Sequence, residues 1–214
     1  MAKRAVLSLL LCCMLLCGCG YSSRATAQGA SVIVTESPVG DDLARVAGLA
    51  LIKQAFSLSE ADGAATVSYK QVDGAADKNY YIVYIGGDSY ESCKAFAHVR
   101  AYTGEAYRAE LRLSELPMTD AQRAEAERLG ATEDEAAANF SGKEGSCMLV
   151  ANAFIEAHFP QSGEVKSVSY AYSETDSDQF PVFTVGCDVE LSGGAVYRVE
   201  VAWPQMTVFA LSVG

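Results

Sequence analysis

The sequence predicts an α+β protein made of two repeats of a helix packed on a 3-4-stranded antiparallel meander, joined by a helical linker. Two observations indicate this. Apolar residues recur at helical spacing in segments 41–56 and 147–159, and several strand-like runs bounded by Gly, Asn and Asp follow each segment. In addition, the hairpin sequence GEAYRAE at 104–110 returns as GAVYRVE at 194–200. We therefore expect one architectural unit to occur twice.

The chain opens with a segment typical of an export signal. Lys3 and Arg4 precede an apolar run from Ala5 to Leu16, which is shorter than the roughly 20 residues that a membrane-spanning helix needs. We predict that residues 1–18 form a signal peptide that is removed. Residues 19–40 are then a tether, with a short strand predicted at 31–37.

The end of this signal segment resembles the lipobox of bacterial lipoproteins. The residues concerned are Leu16, Cys17, Gly18 and Cys19. The resemblance implies that Cys19 receives diacylglycerol and becomes the new N-terminus. The membrane would then be a partner through this lipid, and the protein would lie outside the cytoplasm, anchored to the bacterial cell membrane. The alternative is an ordinary secretory signal without lipid.

The first predicted half covers residues 41–116. Its helix spans 41–56, and two aspartates at the start of the segment suit the positive end of the helix dipole. The apolar residues at helical spacing are Leu43, Val46, Ala47, Ala50 and Leu51. Strand-like runs follow at 66–72, 79–87, 91–102 and 107–113. These segments predict a helix and an antiparallel meander.

The second half is predicted at residues 146–214, after a helical linker at 117–145. The linker is rich in Ala, Glu and Arg, with Thr119 as a helix N-cap and Gly130 as a helix stop. Ser146 is predicted to cap the next helix, at 147–159. The four strands expected after it lie at 164–173, 181–191, 195–203 and 206–213.

The two halves that share these repeated residues resemble a known family of domains. Gly104, Tyr107, Arg108 and Glu110 match Gly194, Tyr197, Arg198 and Glu200 in order and spacing. The first half, with its helix, strands and TGE turn, resembles a PepSY-type domain, and the second half does so in weaker form. Where the family usually carries an aspartate before the turn, this chain has Arg100 and Ala101. The resemblance implies an extracytoplasmic module that modulates peptidases and has no catalytic residues.

Charge and cysteine content exclude several classes of function. The chain has 16 Lys and Arg against 27 Asp and Glu; loss of Lys3 and Arg4 with residues 1–18 leaves 14 against 27, a net charge of −13. Such a charge argues against nucleic acid as a partner. Three cysteines remain beyond the signal and Cys19, without metal-ligand spacing, so no metal or cofactor is predicted.

The strand at 91–102 suggests a surface for a partner. Its alternation places small apolar residues, with Cys93 among them, on the face beneath the helix. A mixed basic and aromatic stripe lies on the opposite face. The residues predicted there are Phe96, His98, Arg100, Tyr102 and Arg108. Tyr107 and Tyr197 are expected to face the core, and Arg198 to point outward like Arg108.

These observations predict a non-enzymatic binding or peptidase-modulating module at the cell surface, with an extracytoplasmic protein or peptide as partner. One alternative is a structural lipoprotein of the cell envelope. Another is a cysteine hydrolase that uses Cys147, because this thiol lies at a predicted helix start. His158 is eleven residues later on the same helix, roughly 16 Å away, which is too far for it to act as the base. Core packing, or a disulfide with Cys187, is the expected role of Cys147.

Overall fold

The computed structural model describes residues 37–116, 142–176 and 182–214, together with residues 119–121, 124 and 128. These residues belong to one compact unit, Thr35–Gly214. Several predictions lie outside the described residues. They are the signal peptide at 1–18, the acylation of Cys19, the strand at 31–37 except for Ser37, and most of the linker at 117–145.

The elements follow the order that the sequence predicts. Two helices are described from end to end, α1 (Asp41–Phe56) and α2 (Glu144–His158), and the described residues 120, 121, 124 and 128 of the linker are also helical. The strands between α1 and α2 are β1 (Ala65–Lys70), β2 (Tyr80–Ile85), β3 (Ala95–Arg100) and β4 (Ala106–Leu111). The strands after α2 are β5 (Val165–Asp176), β6 (Val182–Leu191), β7 (Val196–Trp203) and β8 (Thr207–Val213).

The eight strands of the described residues form one antiparallel sheet, in the order β1-β2-β3-β4-β8-β7-β6-β5. The α+β class and the antiparallel pairing are therefore confirmed. The sequence predicted meanders of three or four strands joined by a helical linker, whereas backbone hydrogen bonds between β4 and β8 make the sheet continuous. In that pairing Arg108 lies opposite Ser212 and Glu110 opposite Ala210.

Both helices lie on the same face of the sheet. α1 packs on β1 to β4, and α2 packs on β5 to β8. One apolar core contains buried residues of both helices, including Ile52 and Ile155. Hydrogen bonds also join the C-terminal turns of the two helices. The Gln54 side-chain amide donates to the His158 carbonyl at 2.9 Å, and His158 Nδ1 lies 2.9 Å from the Gln54 carbonyl oxygen.

The buried face of α1 differs from the predicted one. Leu43, Val46 and Ala50 are exposed, and Val46 retains 63% of its accessible surface. The buried residues are Ala44, Gly48, Leu51, Ile52 and Ala55. Small residues let the helix axis approach the sheet, and a Cβ atom on Gly48 would lie only 2.6 Å from Val83 Cγ2. The contact surface therefore combines Leu51 and Ile52 with small residues, and of the five predicted residues only Leu51 is buried in it.

The boundaries of two other elements also differ from prediction. α2 begins at Glu144 rather than after Ser146, and no side chain caps its N-terminus. β3 begins at Ala95, because residues 86–94 form a loop. Cys93 lies in this loop and packs beside Phe96 on the sheet face opposite the helices. Its predicted position beneath the helix is wrong.

Candidate functional site

The sheet face opposite the helices, which we call the open face, carries the candidate site. The strand register fixes which side chains share it, because paired residues in neighbouring strands point to the same side. One row across the sheet runs through His98, Arg108, Ser212, Arg198 and Asp188. The next row runs through Phe96, Glu110, Ala210, Glu200 and Gly186. Aromatic and charged side chains therefore meet in the middle of the sheet.

One side of this face holds an aromatic cluster. Phe96 and His98 have ring centroids 5.4 Å apart, and the ring of Tyr90 lies edge-on to Phe96 at 4.7 Å. His98 also packs against Tyr80 at 4.9 Å. The members of the aromatic cluster are Tyr80, Tyr84, Tyr90, Phe96, His98 and Tyr107. They form one contiguous group of rings over β2, β3 and β4, in which Tyr84 and Phe96 are buried.

Tyr90 reaches the cluster from the loop between β2 and β3. The Ser92 hydroxyl oxygen holds this loop by accepting from the backbone N–H groups of Asp88 and Ser89 at 3.1 and 3.2 Å. A hydrogen bond of 3.0 Å joins Tyr90 Oη to His98 Nε2. Tyr90 nevertheless keeps 40% of its accessible surface. It is the most exposed aromatic ring of the site.

His98 is held in its neutral form. Burial lowers its pKa from the ordinary value of 6.5 to about 4, and the nearby Arg108 guanidinium acts in the same direction. At neutral pH the His98 imidazole therefore contributes no positive charge to the open face.

Arg108 forms the centre of an ion-pair triad with two carboxylates. Its Nη2 donates to Glu110 Oε2 at 2.6 Å, and its Nη1 donates to Glu200 Oε1 at 3.0 Å. Glu200 is only 6% exposed although its side chain lies on the open face. Burial raises the pKa of Glu110 above its ordinary value, and the carboxylate of Glu200 adds to this rise while Arg108 opposes it. The triad contains one positive and two negative groups.

A second ion pair lies two strands away. Arg198 donates to both oxygens of Asp188, at 2.7 and 2.8 Å. The Arg198 guanidinium also lies 5.6 Å from the ring centroid of Tyr172. The Tyr172 ring covers Gly186, where any Cβ atom would collide with it. Tyr172 thus provides an aromatic ring on the side of the triad away from the aromatic cluster.

Most of the residues predicted for the partner surface do lie on the open face. Phe96, His98, Arg100 and Arg108 share it, although Phe96 is buried beneath its neighbours. Tyr102 follows the end of β3 and packs instead on the helix side, next to Tyr81 and Val99. Four of the five residues predicted for the mixed basic and aromatic stripe thus lie on the open face, and Tyr102 does not.

Tyr107 occupies the face opposite to the predicted one. A β-bulge shifts the register so that His98 pairs with Arg108 while Val99 pairs with Ala106. Tyr107 is the extra residue and turns to the open face, where the Arg100 guanidinium lies 4.7 Å from its ring centroid. Tyr197, in the matching hairpin, packs on Phe159 in the core as predicted.

Three residues of the site were not predicted to belong to it from the sequence: Tyr90, Glu110 and Glu200. The acidic residues could have been found, since each lies two positions after an outward-pointing arginine and therefore shares its face. Tyr90 gave no such signal, because it belongs to a loop whose path over the sheet depends on contacts with Ser92 and His98. The arginines were thus predicted without the carboxylates that neutralise them.

The thiols of the described residues are unsuited to nucleophilic catalysis. Cys147 is fully buried in the apolar core together with Cys187. Burial raises the pKa of Cys147 to about 12, with Cys187 and Glu144 adding to the rise. All three described cysteines are free thiols, so the disulfide alternative is not formed here. Core packing is the role that their position supports.

Neither a metal cluster nor a membrane-spanning helix occurs among the described residues. They contain no group of three or more His, Cys, Asp or Glu side chains placed to hold a metal ion. In the part of the chain that the structure describes, neither helix has the length and apolar character to cross a membrane.

Comparison with known proteins yields one structural likeness. No protein-family model matches the sequence, and no curated protein matches it. The chain is similar to a solved structure described as the Bacillus megaterium YpeB C-terminal domain, with a TM-score of 0.41 and 11% sequence identity. The match covers 82% of this chain and 63% of that one, so the chain spans less than two thirds of its length. At this TM-score the likeness carries no argument about function.

Proposed function

We propose that the protein is a non-enzymatic binding module that holds an extracytoplasmic protein or peptide on its open face. The observation that carries this proposal is the partly exposed aromatic cluster lying directly beside the Arg108 ion-pair triad. Aromatic rings supply rigid apolar contact area, and such rings with arginine are enriched in protein interfaces. The 40% exposure of Tyr90 leaves this area accessible to a partner.

The charged residues of the open face suit a role in orientation. Arg108 donates hydrogen bonds of 2.6 and 3.2 Å to Glu110 and of 3.0 Å to Glu200, so the positions of these side chains are fixed before a partner arrives. Pre-organised charges at the margin of an apolar surface favour one binding orientation over others. A module of this kind needs no nucleophile, and the burial of Cys147 and Cys187 agrees with such a role.

Export and lipid anchoring belong to the same proposal. Residues 1–18 act as a signal peptide and Cys19 carries the lipid, which places the module at the outer surface of the bacterial cell membrane. Support comes from the basic residues, the apolar run and the lipobox-like sequence at the N-terminus. We further propose two PepSY-like halves, at 41–116 and 146–214. The repeated hairpin residues, and the packing of each helix on its own four strands, support this division.

The binding surface can be tested by photo-crosslinking in cells. A photoreactive phenylalanine analogue replaces Tyr90 on the open face, and in a matched variant it replaces Leu149, which is 73% exposed on α2. We expect discrete adducts from position 90 and none from position 149. Adducts from Leu149 alone would contradict the proposal, and so would an absence of adducts from Tyr90.

The lipid anchor can be tested separately. Cells fed a clickable palmitate analogue should label the wild-type protein, and the Cys19→Ala variant should lose the label and leave the membrane fraction. Cys17→Ala provides the matched control, since it removes a neighbouring cysteine of the same segment. Equal labelling of the wild type and the Cys19→Ala variant would exclude Cys19 as the anchor.

A further inference from the structure

The sign of the charge on the open face determines which partner it suits. Arg100 pairs with Glu105 at 3.6 Å, Arg108 with Glu110 and Glu200, and Arg198 with Asp188. These pairs contain three arginines and four carboxylates, so together they carry one net negative charge. The three arginines of these pairs are therefore already compensated. Arg112 also lies near this face, beside Glu91, whose pKa is lowered by hydrogen bonds from its own backbone and Ser89 and by the charge of Arg112. With these two residues the balance is four arginines against five carboxylates, which is still one net negative charge, so the surface is not an anion-binding stripe.

The excess negative charge is localised at the Arg108 triad. Arg108 bonds only the Oε2 atom of Glu110 and the Oε1 atom of Glu200, so within the described residues one oxygen of each carboxylate lies outside the pair. The Glu110 side chain keeps 25% of its accessible surface, against 8% for Glu200. Glu110 is thus the carboxylate of the triad that a ligand can reach.

The aromatic cluster lies beside the Glu110 carboxylate. Phe96 is the cross-strand partner of Glu110, and the Tyr90 ring packs on Phe96 at 4.7 Å. Burial raises the pKa of the Tyr90 hydroxyl, and the charge of Glu110 is among the neighbouring groups that add to the rise. A cationic side chain placed there would gain both an ion pair and the attraction of an aromatic ring for a cation.

We propose that the partner of the open face is a basic peptide segment, whose lysine or arginine side chain binds the Glu110 carboxylate next to the ring of Tyr90. The proposal deepens the proposed function and rests on it. The net charge of the chain without residues 1–18, −13, would also attract such a segment from a distance. The neutral His98 ring does not repel a cationic side chain. Its contacts with Tyr90 and Phe96 hold these two rings of the aromatic cluster in place.

Fluorescence anisotropy with defined peptides tests this inference. The probes are fluorescein-labelled, end-blocked peptides of alternating lysine and serine or of alternating glutamate and serine, titrated with the detergent-solubilised full chain. We expect the lysine peptide to bind and the glutamate peptide not to bind. Glu110→Gln should weaken binding of the lysine peptide by about five- to tenfold, because it removes the charge and keeps the shape.

A matched variant controls for the loss of net charge. Glu60→Gln also removes a carboxylate from an arginine that is shared by two acidic residues, since Arg45 lies 3.1 Å from Glu60 and 3.9 Å from Asp42 on the helix side. It should change the Kd less than about twofold, as expected for a distant exposed charge. Tyr90→Leu, which leaves the charge unaltered, should weaken binding as Glu110→Gln does.

The outcomes separate this inference from the proposed function. Equal losses in the Glu110 and Glu60 variants, or equal binding of both peptides, would overturn the basic-segment proposal. If the lysine peptide fails to bind while Tyr90 still gives crosslinked adducts in cells, the partner is recognised by other chemistry and only this inference fails. If both experiments fail, the open face is not a binding surface.

Discussion

His98 shows how the open face controls the protonation of a single side chain. Its imidazole lies between the rings of Tyr80, Phe96 and Tyr107, at centroid distances of 4.9, 5.4 and 5.8 Å. Arg108 is its cross-strand partner. Burial and this adjacent positive charge both disfavour the imidazolium ion, so the pKa falls to about 4. The neutral ring is the form compatible with the fold.

Acidification should therefore destabilise the protein through His98. In the unfolded chain the ring takes up a proton near pH 6.5, but in the folded protein it does so only near pH 4. Stability present above pH 6.5 is consequently lost as the pH falls towards 4. Between pH 7 and 4.5 we expect this residue to account for a loss of about 2 kcal/mol, after allowance for partial solvent exposure.

The measurement compares urea unfolding of the wild type and two variants at both pH values. His98→Gln should lose about 2 kcal/mol less on acidification than the wild type. Leu149→Gln, an exposed substitution on α2 that changes no titratable group, should show the same pH dependence as the wild type. An identical pH dependence for wild type and His98→Gln would contradict the assignment.

At the scale of elements, α1 meets the sheet through Gly48. A methyl group there would lie within 2.6 Å of Val83 Cγ2 and 2.7 Å of Val83 Cβ. Gly48→Ala should lower the free energy of unfolding by about 1–3 kcal/mol, because the steric conflict exceeds the gain in helix propensity. Chemical denaturation measures the change.

Gly145 in α2 provides the matched control for this substitution. A Cβ atom at Gly145 meets nothing within 4 Å. Gly145→Ala should therefore leave stability unchanged or raise it by up to about 1 kcal/mol. Equal effects at both glycines would show that α1 does not approach β2 as closely as described.

The same elements show what the sequence could predict and what it could not. Alternating polarity predicted the strands, and the outward direction of Arg108 and Arg198 followed from it. The β-bulge at Tyr107 adds one residue to β4. Strict alternation next to the outward-pointing Arg108 therefore assigned Tyr107 to the wrong face of the sheet. Gly48, which has no side chain, gave no apolar signal for the buried face of α1. Register shifts and close approaches depend on the partner element, which local sequence does not contain.

At the scale of the whole molecule, one core extends across both halves. Leu51 and Ile52 of α1 belong to the same apolar cluster as Ala151 and Ile155 of α2. The sheet is continuous because β4 pairs with β8. The repeated hairpin predicted two similar meanders, but no residue pattern indicated which strands would pair between them. This pairing is the long-range information that sequence analysis lacked.

A shared core predicts a single cooperative unfolding transition. Trp203, the one tryptophan of the chain, lies buried in β7 and reports on the second half through its fluorescence. Gly48→Ala, in the first half, should shift the denaturation midpoint of Trp203 fluorescence and that of far-UV circular dichroism by the same amount. A Trp203 midpoint that stays at the wild-type value would show that the halves unfold separately.

The central position of β8 has a consequence for the route by which the protein folds. This strand follows the other seven in the chain, yet it occupies the middle of the sheet between β4 and β7. Its partner residues Arg108 and Ser212 are 104 positions apart, and pairings over such separations form slowly because a long loop must be closed first. A ribosome that delivers the chain from its N-terminus releases β8 after β1 to β7. The sheet of the nascent protein therefore cannot become continuous until this strand has emerged.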